Sequence, residues 1–431
     1  MRRLFLTENR ERRGKPRVLP LLFVLLLLLS ACGRQAAAPE TPGAVEAAAA
    51  QETAEPPASV EPALSEAERA ERERPAAEAR QEQQLTAACN NLTREEKVGQ
   101  LFFVQCPAAD AAEKIAQYHL GGVLLFTRDY QDANGNWLSE DAFVSKLDAF
   151  QSAAREDTGI PLFIGSDEEG GTVTRASRNP NLFPAKLPSP QALYKTGGLT
   201  GLLTETLQYN DRLRALGVNV NFAPVCDVSA DPKDFIYERS FGQDAEATAE
   251  YVAQTVGVMN DAGMGSVLKH FPGYGNNVDT HTGIALDERP YEQFETSDFL
   301  PFRAGIEAGA DFVLVSHNIV TCMDETLPAS LSGAVHAVLR EDLGFDGVVL
   351  TDDLSMDAVQ AYADDGSVAV LALLAGNDMI VTADFETQIA QVLSAIEDGT
   401  LDERVIDEAC ARVLRAKAAR FAMPWQKEDA A

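Results

Sequence analysis

Basic residues are scarce in this chain. Its 36 lysines and arginines face 66 aspartates and glutamates, a formal net charge of −30, and the acidic excess continues into the globular part. Such a surface repels phosphate backbones and anionic membrane faces, so nucleic acid and anionic lipid are poor partners. Cysteine is sparse as well: Cys32, Cys89, Cys106, Cys226, Cys322 and Cys410 stand far apart with no C-x-x-C pair. With Cys32 set aside an odd number remains, which favours buried apolar cysteines over a disulfide frame or a zinc site. His270, His281 and His317 show neither H-x-H nor H-E-x-x-H spacing, so no metal is required. Gly170-Gly171 belongs to neither a G-x-G-x-x-G fingerprint nor a P-loop, which removes the phosphate cradle of a nucleotide cofactor. No cofactor is expected.

Long apolar runs are missing except near the start, where Leu21 to Leu29 is unbroken but short for a membrane span. It follows a mainly basic stretch (Arg2, Arg3, Arg10, Arg12, Arg13, Lys15, Arg17) and precedes Ser30-Ala31-Cys32, the pattern of a secretory leader over residues 1–31. Leu29-Ser30-Ala31-Cys32 resembles a bacterial lipobox, which implies lipidation of Cys32 and an extracytoplasmic protein held on the membrane; the alternative is an ordinary secretory signal. Residues 32–85 are rich in Ala, Glu, Pro and Gln with few large apolar side chains, too few to offset the entropy of ordering. They read as a disordered tether, with transient helix over Ser65–Gln84.

The folded part is expected over residues 86–424, roughly 340 residues and long for one domain but suited to a barrel with insertions, followed by a tail at 425–431. Eight short apolar runs recur along it: 101–104, 123–126, 162–165, 218–225, 267–270, 312–315, 348–350 and 379–381. Helical segments separate several of them, such as 244–262, 296–308 and 332–343, with Gly263, Gly309 and Gly344 at the expected C-caps. Continuous apolar strands alternating with helices give an α/β fold with a parallel sheet covered on both faces, and eight of them give a (β/α)8 TIM-type barrel. A doubly wound open sheet is the rival.

Polar residues gather at the strand ends. Asp167-Glu168-Glu169 follows the third strand, Lys269-His270 closes the fifth, Ser316-His317-Asn318 the sixth and Thr351-Asp352-Asp353 the seventh. In a barrel all four open onto the C-terminal rim, where such enzymes keep their chemistry. Lys269 to His281 is the densest stretch. Pro272-Gly273 breaks the strand, and Asp279 and His281 lie two positions apart, close enough for a carboxylate to orient an imidazole acid/base. Asp352, after a buried strand, has the rigidity a carboxylate nucleophile needs to attack an anomeric carbon. Its neighbour Asp353 should turn the other way and support the loop, unless Thr-Asp-Asp simply caps the next helix.

Val338-Leu339-Arg340-Glu341-Asp342 with Gly347-Val348-Val349-Leu350-Thr351-Asp352 resembles the active-site signature of glycoside hydrolase family 3. Lys269-His270-Phe271-Pro272-Gly273 with Asp279-Thr280-His281 resembles that family's β-N-acetylhexosaminidase branch. The resemblance spans most of residues 86 to 420. It implies Asp352 as nucleophile, His281 as general acid/base and Asp279 as its orienting partner. It further implies that Asp167, Arg175, Arg239, Lys269 and His270 bind the sugar. His317, in no metal-ligand spacing, is read as packing beside the pocket. Two departures stand out: Tyr274 replaces the branch's usual histidine, and Asn276-Asn277 its usual Asp-Thr, which points to altered loop packing.

The expected activity is therefore a retaining exo-β-N-acetylglucosaminidase acting on peptidoglycan fragments or related glycans, working as a monomer. An imidazole acid/base does not repel an anion as glutamate would, so phosphate can compete with water for the glycosyl intermediate. The alternatives are a β-glucosidase or β-xylosidase of the same family, whose acid/base generally comes from another domain, and a solute-binding lipoprotein with two hinged lobes and no nucleophile.

Overall fold

The structure is a computed structural model and describes residues 66–277, 285–356, 359, 361–362 and 367–426. The leader, Cys32, the tether up to residue 65, Asp279, His281 and residues 427–431 lie outside the described residues. The chain divides into two units, Met1–Ala63 and Leu64–Ala431, and the second carries everything described below.

Eight parallel strands make the core: β1 Phe102–Gln105, β2 Gly122–Leu125, β3 Phe163–Ser166, β4 Val220–Asn221, β5 Gly265–Phe271, β6 Phe312–Val315, β7 Val348–Thr351 and β8 Ile380–Thr382. From β1 to β7 each pairs with the next in sequence, and β8 pairs with β1. The ring closes between β7 and β8 through a parallel bridge from Leu350 to Met379 and a Thr351 N–H donated to the Met379 carbonyl at 3.1 Å. This is a nearly closed TIM-type barrel, and all eight apolar runs fall on its strands. The strands are buried almost throughout, because helices cover the outside and side chains fill the inside.

Large and small residues fit together within it. Phe103 meets Phe222 edge-on at 5.2 Å, and Phe163 meets Phe312 likewise at 5.2 Å. Gly165 makes room for them: a Cβ there would stand 2.7 Å from the Phe222 ring and 2.9 Å from that of Phe103.

The covering helices start and stop where local chemistry dictates. Ser139 caps Glu140–Asp157 by accepting the Ala142 N–H, and the helix buries Phe143, Leu147, Phe150 and Ala154 along one stripe. Asp244 caps Ala245–Asp261 in the same way. Gly263, Gly309 and Gly344 all have positive φ at helix ends, as the sequence predicts. Two expected helices are less regular. The segment expected at 296–308 is a π-turn over Phe294–Asp298 running into Phe299–Glu307, and 332–343 is Gly333–Ala337 followed by a π-turn over Val338–Asp342.

The ordered part begins earlier than residue 86. A helix spans Glu66–Asn91, over the segment expected to be tether with transient helix. Its stability comes from docking: Leu85 and Cys89 are buried in the main core, and Arg415 of the last helix, Glu403–Arg420, pairs with Glu82 at 2.6 Å. Cys106, Cys226 and Cys410 are likewise buried, and Cys322 is exposed.

Candidate active site

The C-terminal strand ends surround a cavity of about 350 Å³. Gln105 closes β1, Asp167 and Glu169 follow β3, Lys269 and His270 end β5, and Asp352 and Asp353 follow β7; all of them line it. Arg175 and Arg239 reach the same cavity from the loops after β3 and β4. The structure thus brings together six of the eight catalytic and binding candidates, namely Asp352, Asp167, Arg175, Arg239, Lys269 and His270.

Consecutive strand residues ordinarily face opposite sides of a sheet, yet Lys269 and His270 both face this cavity. The pairing of β5 with β6 slips between Leu268 and Phe271, and such an irregularity re-aims side chains beside a site.

Alternating charges tie the wall together. Arg239 grips Glu169 with two parallel bonds, Nε at 2.9 Å and Nη2 at 2.8 Å. Lys269 Nζ lies 2.6 Å from Glu169 and 3.0 Å from Asp167, and Arg175 reaches Asp167 at 3.4 Å. Burial pushes the Glu169 carboxyl up, but Arg239 and Lys269 outweigh it and hold the group well below the usual carboxylate range. Burial likewise pulls Lys269 down, and Asp167 and Glu169 more than restore it. Both groups are therefore charged at neutral pH.

His270 is fixed by a carboxylate the sequence reading did not single out. Asp227 Oδ2 lies 2.7 Å from His270 Nδ1 and accepts the His270 N–H at 3.2 Å, while Oδ1 accepts the Tyr274 N–H at 2.7 Å. An ionised carboxylate only accepts, so Nδ1 carries the proton. Nε2 then accepts from Arg239 Nη2 at 3.0 Å. Tyr274, at the first departure from the family pattern, is buried with its ring edge-on to His270 at 5.3 Å. At the second, Asn277 donates to Asp287 at 2.7 Å.

The Thr351-Asp352-Asp353 turn is pinned on several sides. Asp352 donates its N–H to Val315 O at 2.9 Å, and its Oδ1 accepts the Asp353 N–H at 2.8 Å. Asp353 accepts from Gln105 Nε2 and from the Ser355 N–H at 2.8 Å. His317 is fully buried, donates from Nε2 to the Asp353 carbonyl at 3.0 Å and faces Ser330 Oγ at 2.8 Å through Nδ1. The expected division of labour holds for the bonds, with Asp353 supporting the loop. It does not hold for direction, because both carboxylates line the cavity: the strand ends at Thr351, and the turn beyond it is free of strict alternation.

Glu169, Asp227, Gln105 and Glu168 went unassigned in the sequence. Glu168 is buried, its carboxyl pushed up by that burial. It accepts the N–H groups of Arg175 and Ser177 and the Ser177 hydroxyl, which fixes the loop presenting Arg175. The signal for Asp227 and Gln105 was available: each is polar and stands at or just beyond the end of a strand run, as Asp167 and Asp352 do.

Chemically, the cavity offers cationic donors, carboxylate acceptors and apolar walls from Phe126, Phe222 and Met356. A pyranose, with hydroxyls at its rim and C–H groups on its faces, is complementary to such a lining.

Residues 93–416 match the family model described as the glycosyl hydrolase family 3 N terminal domain. Over 334 residues the chain is 29% identical to β-hexosaminidase A of Pseudoalteromonas piscicida, covering 72% of this chain and 55% of the relative. It is 33% identical to the β-hexosaminidase of Xylella fastidiosa, over 64% of this chain and 80% of that one. Among solved structures, a family 3 β-N-acetylglucosaminidase from a Paenibacillus species superposes with a TM-score of 0.70 at 33% identity, covering 76% of this chain and 63% of that one. The chain thus spans little more than half of the Pseudoalteromonas relative and under two thirds of the Paenibacillus structure.

Proposed function

The chain belongs to glycoside hydrolase family 3, and we propose that it is a retaining exo-β-N-acetylglucosaminidase removing terminal N-acetylglucosamine from peptidoglycan fragments or related glycans. The observation that carries the proposal is Asp352, a carboxylate held by backbone bonds at the mouth of β7 and lining a cavity walled by sugar-compatible groups. The similarity to proteins named β-hexosaminidase and β-N-acetylglucosaminidase supports the choice of sugar.

In the first step Asp352 attacks the anomeric carbon while His281, oriented by Asp279, protonates the departing oxygen, leaving a glycosyl ester on Asp352. In the second, His281 takes a proton from water as it attacks the same carbon, and Asp352 departs. Asp167, Lys269, His270, Arg175 and Arg239 hold the sugar hydroxyls, and the paired charges keep these groups in place before the substrate arrives.

Activity on the nitrophenyl glycoside of N-acetylglucosamine, greater than on the glucoside and xyloside, is the expected result; the reverse order would favour the β-glucosidase reading. Asp352→Asn should abolish turnover. His281→Ala should slow glycosides with poor leaving groups far more than activated ones, and equal slowing would remove His281 from the acid/base role. A solute-binding protein would turn over none of them.

The proposal extends to location, with the chain exported and held at a membrane face by lipid on Cys32. The basic stretch, the apolar run and Leu29-Ser30-Ala31-Cys32 support this. Radiolabelled fatty acid should be incorporated by the natural chain and not by Cys32→Ala; equal labelling would refute it.

A further inference from the structure

Two cysteines far apart in sequence meet outside the cavity. Cys89 lies near the end of the helix Glu66–Asn91, and Cys410 lies in the last helix, Glu403–Arg420. Cys89 Sγ approaches the Asp407 carbonyl at 3.8 Å. Asp407 is one turn before Cys410, on the same side of its helix, and the two thiols lie close enough to interact electrostatically. Both are buried in one apolar cluster. Cys106 and Cys226 differ, since each directs its sulfur to a carbonyl of its own chain neighbourhood, Pro107 and Pro224.

The pair also has a chemical bias. Lys97 is bonded to Asp407 at 2.7 Å, and its ammonium lies within electrostatic reach of both sulfurs. The neighbouring Cys410 thiol, assisted by Lys97, shifts Cys89 toward the thiolate, whereas Cys410 is held as the thiol. One sulfur is thus prepared to attack and the other to resolve.

We propose that Cys89 and Cys410 form a redox-sensitive cross-link site, closed by a small-molecule disulfide such as oxidised glutathione. The Cys89 thiolate attacks one sulfur of that disulfide, giving a mixed disulfide and one glutathione thiolate. Cys410 then gives up its proton and attacks Cys89 Sγ, releasing the second glutathione. Two protein thiols are oxidised, one external disulfide is reduced, and the two protons end on the two glutathione thiols. The bond ties the helix before the barrel to the helix after it, so the two ends of the fold can no longer separate independently. Neither helix lines the cavity, so catalysis is unaffected. The leader-like start of the chain, which points to export, suits a compartment where such bonds persist, but the site does not depend on the proposed activity.

The test treats the reduced, full-length protein with oxidised glutathione, alkylates remaining thiols and maps the peptides by mass. The expected result is a Cys89–Cys410 linked peptide pair lighter by two hydrogens. It should be accompanied by a rise in Tm of about 5 °C or more that a reducing agent abolishes, because the closed loop is very long. Cys89→Ser and Cys410→Ala should each remove both effects, with the untreated variants' Tm recorded as the folding control. Recovery of both cysteines alkylated, a stable single glutathione adduct on Cys89, or cross-linking solely between chains through exposed Cys322 would each overturn the proposal.

Discussion

Lys417 offers a test of the fold that leaves the site alone. It sits in the last helix, fully buried beneath the barrel; Nζ donates to Gln100 Oε1 at 2.6 Å and lies 5.2 Å from the Phe163 ring centroid. Gln100 precedes β1 and Phe163 begins β3, so this is the N-terminal end of the barrel, opposite the cavity. No carboxylate pairs with it among the described residues, and burial pulls its pKa from 10.5 down to about 7. Between those values the unfolded chain keeps a proton that the folded chain has released. The unfolded state then binds more protons, so stability rises with pH across that window. At 1.36 kcal/mol per unit, the buried ammonium costs about 5 kcal/mol at pH 6 and about 2 kcal/mol at pH 9.

Lys417→Met keeps the unbranched shape and removes the charge. It also leaves Gln100 Oε1 without its donor, a penalty of about 1–3 kcal/mol that does not change with pH. Stability relative to the natural chain should therefore be shifted in the variant's favour by about 3 kcal/mol more at pH 6 than at pH 9. Urea unfolding of both proteins at the two pH values measures this, and kcat/KM should be unchanged. A difference between the two proteins that is independent of pH, or that moves the other way, would show that Lys417 is not carrying a displaced titration.

Two further predictions concern the cavity wall. Glu169→Gln leaves the half-buried Arg239 and the buried Lys269 without the carboxylate between them, and should lower stability by about 3–5 kcal/mol in urea unfolding; a loss under about 1 kcal/mol would show that Asp167 compensates. Asp227→Asn replaces an acceptor of charged hydrogen bonds worth about 1.5–3 kcal/mol, so kcat/KM should fall about 10- to 100-fold, mainly through KM, because His270 loses the partner fixing its tautomer. An unchanged KM would remove Asp227 from substrate positioning.

The barrel was legible in the sequence because parallel strands buried on both faces are continuous apolar runs. Val348-Val349-Leu350 and Phe312-Val313-Leu314-Val315 need no partner to be recognised as such. The cavity residues were legible where polarity interrupts such a run at its end, as at Lys269-His270. What stayed hidden depends on distant partners. Asp227 is marked by its place just beyond a strand run, but its role is hidden, because the histidine it orients lies 43 positions away. The helix Glu66–Asn91 reads locally as polar and weakly anchored, because the surface that holds it belongs to Glu403–Arg420 at the other end of the chain. The π-turns at Phe294–Asp298 and Val338–Asp342 leave no periodic trace, since one extra residue per turn changes the phase of a helix without changing its composition.

The charge arrangement at the cavity bears directly on what it accepts. Arg175, Lys269 and Arg239 stand against Asp167, Glu169 and, through His270, Asp227. Three cations balanced by three carboxylates leave N–H donors in the wall without a net positive field. A site that recognised anionic sugars would leave such cations exposed to the ligand. Here their charge is already met by protein, while N–H groups directed into the cavity can still bond hydroxyls and acetamido oxygens. Asp352 and Asp353 then add acceptor carboxylates on the β7 side, which on the proposed function favours the positive charge that develops at an anomeric carbon as its leaving group departs. On the proposed function, the three balanced pairs favour a neutral sugar and Asp352 and Asp353 favour its cationic transition state, so neutralising a carboxylate of the pairs should weaken the first effect.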